Sequence, residues 1–325
     1  MVSNERLLIT GCSGFIGRAL SNRCIAEGRS VKGGARSVYK FGRLPKGVTS
    51  VIVPDLGPQT DWSEALEGVS EVVHLAARVH ALHESGPKSR EEYFRINIAG
   101  TARLARAAAD AGVRRLVFIS TIKVHGEGRE RPYSEADAPA PRGPYEVSKH
   151  EAENVLREIS RRSRLETVVL RPALVYGPGV GANFLRLIKL VERRVPLPFA
   201  SVSNRRSMIF VENLVDAILA GLREPEAAGK TYLVADDESP STPQLIKQIA
   251  GFLGIEAKLF SFPPALLRSA GILFGKKQET DRLLGSLGAD TSKIRREIGW
   301  RPEFSLREGL RETIDWYRQQ AAVGK

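Results

Sequence analysis

Tyr145-Glu146-Val147-Ser148-Lys149 sets a phenol and an ammonium four residues apart, a spacing that stacks them one turn apart on a helix. A tyrosine hydroxyl is a poor base, with a reference pKa near 10. A cation held beside it favours the phenolate, and lowering that pKa by about 3 units corresponds to about 4 kcal/mol of differential interaction. A second segment, Gly11-Cys12-Ser13-Gly14-Phe15-Ile16-Gly17, follows the apolar run Arg6-Leu7-Leu8-Ile9-Thr10 at once and leads into Ala19-Leu20. Strand, glycine turn and helix in that order make a dinucleotide seat. Gly11 permits the tight turn, Gly14 lets backbone approach a pyrophosphate, and Gly17 lets the helix pack on the sheet with its amide end towards the anion. A proton acceptor paired with a nicotinamide is the equipment of an oxidoreductase.

Both segments need a scaffold. Short strand-like runs at Leu7–Thr10, Ser30–Gly34, Thr49–Val53, Glu71–Leu75, Leu116–Ser120 and Thr167–Leu170 alternate with helical patterns at Ile16–Glu27, Trp62–Leu66, Glu92–Ala111 and Glu146–Ser160. That alternation predicts an α/β fold with a doubly wound parallel sheet. After Arg171-Pro172, Gly177-Pro178-Gly179 leads into a helix from Asn183 to about Arg193, then the proline-broken Val195–Phe199. Ser207–Phe210 and Thr231–Val234 read as strands returning to the larger lobe, separated by a helix over Asn213–Leu222. The remainder predicts a smaller, mixed α/β lobe that closes with an amphipathic helix near Leu306–Arg318. Residues 1–176 plus 207–235 are thus expected to form the dinucleotide-binding domain, and 177–206 plus 236–325 the second lobe. Leu104, Ala105 and Ala108 trace one apolar helix face, and Val147, Val155, Leu156 and Ile159 another. Such faces pack on their own sheet or form a two-fold helical interface, and a homodimer is expected. Pro263–Phe274, followed by Lys276-Lys277, reads as a buried helix of the small lobe, with contact to a membrane surface as the alternative.

Composition narrows the partners. With 325 residues, 42% of them hydrophobic, the chain can bury a large core, and no run of about 18 apolar residues exists to span a bilayer. Two cysteines, one inside the glycine turn, describe no disulfide framework. With no leader pattern at the N-terminus, a cytoplasmic protein is expected. The net charge of +12 raises nucleic acid as a partner, but Arg114-Arg115, Arg161-Arg162 and Arg193-Arg194 are scattered pairs without a recognition helix. A basic surface that attracts anionic metabolites is the simpler account. His74, His80, His83, His125 and His150 lack compact ligand spacing, so no metal is expected. His125 is expected to line the pocket or support its loop.

The chain resembles the extended short-chain dehydrogenase/reductases, the nucleotide-sugar epimerase/dehydratase family, over nearly its whole length. The resemblance is carried by Gly11-xx-Gly14-xx-Gly17, Asp55-Leu56, His74-Leu75-Ala76-Ala77, Asn97, Ser120-Thr121-Ile122-Lys123-Val124-His125-Gly126, Tyr145-xxx-Lys149, Arg171-Pro172 and Gly299-Trp300-x-Pro302. It implies a Rossmann-like domain and a catalytic set of Thr121, Tyr145 and Lys149. It further implies cofactor contacts from Gly11, Ser13, Gly14, Phe15, Ile16, Gly17, Asp55, Leu56, Leu75, Ala76, Ala77, Asn97 and Pro172, with Tyr145 and Lys149 shared. At the end of the second strand, where an acidic residue would grip the adenosine ribose of NAD, stand Ala35 and Arg36. Arg36 could meet a 2′-phosphate, stack on adenine or face water, so the pair favours NADP compatibility without excluding NAD.

The family implies a sugar on a nucleoside diphosphate, usually UDP, met by Thr121, Lys123 and Tyr145 at the sugar and by Asn183 and Arg206 at the diphosphate. Leu174 stands where many relatives carry asparagine, and Glu279-Thr280-Asp281-Arg282 replaces an Arg-x-Gly-Asp segment. Arg282 could supply the second phosphate contact or a structural salt bridge. These departures suggest an altered sugar, N-acetylated or 6-deoxy. Ile122 and Lys123 occupy the places of a dehydratase Asp-Glu pair, which argues against dehydration. Two reactions remain: 4-epimerisation through a keto intermediate, which the general resemblance favours, and 4-ketoreduction of a UDP-4-keto-6-deoxy-N-acetylhexosamine in surface polysaccharide precursor synthesis.

Overall fold

A computed structural model describes residues 6–35, 44–53, 55–79, 87–275 and 277–323. The elements run β1 (Arg6–Thr10), α1 (Phe15–Ala26), β2 (Ser30–Ala35), β3 (Thr49–Ile52), α2 (Ser63–Leu66), β4 (Val69–His74), α3 (Pro87–Tyr93), α4 (Thr101–Asp110), β5 (Arg115–Ile119), α5 (Pro144–Arg162) and β6 (Glu166–Pro172). They continue with β7 (Leu174–Tyr176), α6 (Ala182–Glu192), β8 (Met208–Phe210), α7 (Val211–Arg223), β9 (Thr231–Val234), α8 (Thr242–Leu253), α9 (Pro264–Leu273), α10 (Lys277–Leu284), α11 (Ser292–Ile298) and α12 (Leu306–Val323).

Among the described residues, seven parallel strands form one sheet in the order β3-β2-β1-β4-β5-β6-β9. The fold is Rossmann-like, as the alternating pattern predicts. Its winding reverses between β1 and β4, and the crevice above such a reversal is where ligands bind in open α/β sheets. The sheet strands are nearly continuous apolar runs because both faces are covered. Leu7, Ile9, Val117, Val168 and Leu170 bury one face together with residues of α1 and α7. Leu8, Val72, Leu116 and Phe118 bury the other with Leu104, Ala105, Ala108, Ala152 and Leu156 of α4 and α5. Arg115 is buried within β5 because its guanidinium caps the end of α7, donating to the carbonyls of Gly221, Leu222 and Glu224 at 3.1, 3.0 and 2.6 Å. A separate core of Tyr176, Phe184, Ile188, Phe210, Ile246, Leu310 and Ile314 holds the second lobe.

Three expectations need correction. Ser207–Phe210 does not return to the large sheet; β8 pairs with β7 in a two-stranded parallel ribbon, while β9 alone joins β6. The predicted helix over Glu92–Ala111 is α3, a π-helical stretch over Phe94–Gly100, and then α4. One extra residue per turn leaves no mark in a pattern read at the ordinary helical period. Of the helix faces offered for a two-fold interface, Leu104, Ala105, Ala108 and Leu156 have no exposed surface and pack on their own sheet, while Val147, Val155 and Ile159 are half-buried. Finally, the apolar helix within Pro263–Phe274 is not buried: Leu266, Ile272, Leu273 and Phe274 are 55–81% exposed.

Candidate active site

The glycine turn lies directly after β1 at the sheet's reversal. Gly11 has φ +73°, and a Cβ there would stand 2.9 Å from the Ala76 amide nitrogen just beyond β4. Gly17 is tighter still, since a Cβ would overlap the Gly11 carbonyl oxygen and lie 2.6 Å from the Cys12 Cα. The turn and the start of α1 are therefore in backbone contact. Gly14 is the N-cap of α1, with no side-chain cap and no acidic residue in the first turn. The amide end, with its partial positive charge, is thus left for an anion. Ser13 is exposed, Phe15 and Ile16 are half-buried, and a Cβ on Gly179 of the second lobe would meet the Phe15 ring at 3.4 Å.

Across the reversal, the segment after β4 is held from below. The Ala76 amide donates to Thr10 Oγ1 (3.2 Å), and the buried His74 ring bonds Thr10 at 2.7 Å and Thr101 at 3.0 Å. Burial, with Lys149 nearby, pushes the His74 pKa down to about 3, so the ring is neutral. Leu75, Ala76 and Ala77 remain half-buried beside the turn. Asp55 is exposed, and Leu56 lies partly buried against the α4–α5 side of the core. Asn97, in the π-helical stretch, bonds the Arg78 amide (2.8 Å) and carbonyl (3.0 Å) and the Ser148 hydroxyl (2.9 Å). Those bonds occupy its amide with positioning: it ties the strand-end segment to α5. Pro172 is buried at the end of β6. Ala35 ends β2, whereas Arg36 lies outside the described residues.

The residues expected to handle the proton come from two elements. Thr121 follows β5 directly and caps a short 3₁₀ turn, its Oγ1 accepting from the Lys123 amide at 3.3 Å. Pro144 at the first helical position starts α5, which places Tyr145 at its entrance and Lys149 one turn along. Tyr145 is half-buried, edge-on to Tyr93 with ring centroids 6.4 Å apart. Burial, with Glu146 and Tyr93 adding, holds its pKa above the ordinary phenol value. Lys149 is buried with its Nζ 3.9 Å from the Phe118 ring centroid, and burial lowers its pKa to about 7 against the opposing pull of Glu153. Lys123 is turned into an ion pair with Glu127 (2.7 Å) and lies 3.7 Å from Glu146.

Behind this row lies a buried ionic cluster. Glu153 accepts from both Arg171 nitrogens and from Ser120, and Arg171 Nη1 donates to His125 Nε2 at 2.8 Å. Burial alone would raise the Glu153 pKa, but His150, Arg171 and Ser120 hold it down to about 2. His125, 2% exposed and stacked on Tyr133, supports the loop instead of facing an open pocket. In the second lobe, Asn183 is exposed in the first turn of α6, and Arg206 donates to the Gly285 carbonyl at 3.0 Å. Arg282 lies on α10, whose C-terminal carbonyls are fastened by buried Asn204. Glu153 and Asn204 were absent from the sequence expectation. Glu153 had a signal, continuing the series Tyr145 and Lys149 by one more turn; Asn204 had none.

A model described as the NAD dependent epimerase/dehydratase family matches residues 7–235. This chain belongs to that family. The UDP-glucose 4-epimerase of Vibrio cholerae is 37% identical over 320 residues, spanning 97% of this chain and 96% of its own length. That of Mycolicibacterium smegmatis is 29% identical over 336 residues, spanning 97% and 99%. Among solved structures, MoeE5 in complex with UDP-glucuronic acid and NAD superposes with a TM-score of 0.77 at 27% identity, covering 97% of this chain and 99% of its own. The epimerase/dehydratase assignment makes this an enzyme of the short-chain dehydrogenase/reductase type, with the reversal crevice as its candidate active site.

Proposed function

We propose that this chain is a NAD-dependent 4-epimerase of a UDP-hexose or UDP-N-acetylhexosamine, acting through a 4-keto sugar. One arrangement supports the reading: Thr121 directly follows β5, and α5, which carries Tyr145 and Lys149 one turn apart, lies beside that strand with the Lys149 Nζ 3.9 Å from the Phe118 ring centroid. The relatives that act on UDP-glucose and the neighbour that holds a UDP-sugar with NAD support it. The Gly11–Gly17 turn, closed to a Cβ at Gly11 and Gly17, and the uncapped α1 terminus fit a dinucleotide pyrophosphate. NAD, when bound there, would supply hydride exchange at the sugar C4 and, in its oxidised form, positive charge. Ala35 at the end of β2 leaves NADP tolerable as well.

In this reading Thr121 holds the C4 oxygen and Tyr145 takes its proton as phenolate. Lys149 lowers the cost of that phenolate and steadies the cofactor ribose. The free phenol lies above its ordinary pKa, so the site becomes basic only once cationic charge is brought beside it. Asn183 and Arg206 anchor the diphosphate, about which the keto sugar turns before the proton returns from Tyr145. Residues 1–176 with 207–235 bind the dinucleotide, and 177–206 with 236–325 bind the nucleotide sugar.

The test is to incubate the purified protein with UDP-glucose and, separately, UDP-N-acetylglucosamine, without added cofactor, and resolve the products by anion-exchange chromatography. Interconversion with the 4-epimer is the expected result. Stoichiometric loss of NADH or NADPH absorbance with a UDP-4-keto-6-deoxy-hexosamine, without any epimerisation, assigns the 4-ketoreductase reaction instead.

A further inference from the structure

We propose that the outer face of α9 docks on an anionic phospholipid bilayer. Ten large hydrophobic side chains are exposed among the described residues, and five of them fall between positions 260 and 274: Phe260, Leu266, Ile272, Leu273 and Phe274. Scattered singly such residues need no account, but a cluster marks a contact surface. The helix has a clear inner side. Gly271 is buried, and a Cβ there would overlap Thr280, so α9 packs closely on α10 through that edge. Turning by about 100° per residue from Gly271, Leu266, Ser269 and Leu273 fall on the opposite side and Ile272 on its flank, and all four are exposed.

Charge names the occupant. In the sequence, Ala257 to Gln278 carries Lys258, Arg268, Lys276 and Lys277 and no acidic residue, and α10 beyond it adds Glu279, Asp281 and Arg282, so the stretch keeps an excess of cations. A second copy would bring the same excess of cations in this stretch of sequence, on a chain with a net charge of +12, so self-association is opposed. A bilayer with anionic headgroups satisfies both features, accepting apolar side chains below and cations at its surface. No helix among the described residues is long and apolar enough to cross a membrane, and α9 has only ten residues. It would lie in the interface plane. The α9–α10 hairpin ends at Leu283 and Gly285, whose carbonyls receive Asn204 and Arg206, so docking brings the cationic end of the second lobe next to the membrane.

The experiment is co-sedimentation of the full chain with vesicles of phosphatidylcholine alone or with about 30 mol % phosphatidylglycerol. Binding is expected only with the anionic lipid. The double variant Leu273→Ser/Phe274→Ser should bind about tenfold more weakly, with melting temperature and UDP-sugar turnover unchanged. Leu190→Ser, which removes an exposed leucine from α6, should bind like the unaltered chain. Absence of binding overturns the proposal. So does anionic binding that the double variant retains in full, which would assign it to diffuse surface charge. Loss of an oligomer in the double variant, without vesicle binding by the unaltered chain, would assign the patch to contact between copies.

Discussion

Arg171 closes on Glu153 with two nitrogens, Nε at 3.1 Å and Nη2 at 2.5 Å, in a pair that is almost wholly buried beneath α5. Glu153 lies one turn beyond Lys149, so the carboxylate that satisfies Arg171 also opposes the depression of the lysine pKa. The helix that carries Tyr145 and Lys149 is therefore fastened to β6 by an ion pair that cannot be half removed.

Glu153→Gln is expected to destabilise the protein by about 3–5 kcal/mol, because a buried guanidinium loses its countercharge. Urea denaturation measures it. The same variant should lower the Lys149 pKa further and move the basic limb of the pH–rate profile to lower pH, because the lysine cation is lost sooner, an effect that a purely structural loss would not produce. Equal stability and an unmoved profile would deny the coupling.

Contact between Gly17 and Gly11 predicts a different failure. Gly17→Ala forces the start of α1 away from the turn, and NAD affinity should fall by about tenfold or more, as read by calorimetric titration. Gly251, within α8, has open space where its Cβ would be. Gly251→Ala should leave NAD binding intact and stabilise the protein by about 0.4–1 kcal/mol.

Two histidines are held neutral. His125 is pushed down to about 4 by burial and then by Arg171, and His74 to about 3, both from 6.5. A base whose folded pKa is depressed binds more protons unfolded. Its contribution to stability is complete above pH 6.5 and is lost as pH falls through that value towards the folded pKa. Each group contributes a slope of up to about 1.4 kcal/mol per pH unit. His125→Gln should therefore lose less stability than the unaltered chain between pH 7 and pH 5, by up to about 2 kcal/mol. Parallel losses in the two proteins would contradict the assignment.

Strand and helix periods made the large sheet legible, because Leu7–Ile9, Val72-Val73, Leu116–Ile119 and Val168–Leu170 are buried apolar runs and the glycine turn announces the first crossover. Tyr145 and Lys149 were legible for the same reason: four residues on a helix put both on one side. What escaped was set by distant contacts. β8 pairs with β7 because Phe210 and Tyr176 share the second lobe's core, a partnership that adjacent sequence does not encode. The π-helical turn around Asn97 adjusts its bonds to Arg78 and Ser148, both remote in the chain. The apolar stretch Pro263–Phe274 reads as a buried helix from its composition, and only the position of α10 decides that it faces outward.

Tyr145→Phe tests the central claim most directly, since it removes one oxygen from the proposed base and leaves the ring beside Tyr93. Turnover of the UDP-sugar should fall by about 10³-fold or more while the dissociation constant for NAD changes by no more than a few-fold. Turnover within tenfold of the unaltered enzyme, at equal NAD occupancy, would show that the phenol at position 145 is not the proton acceptor.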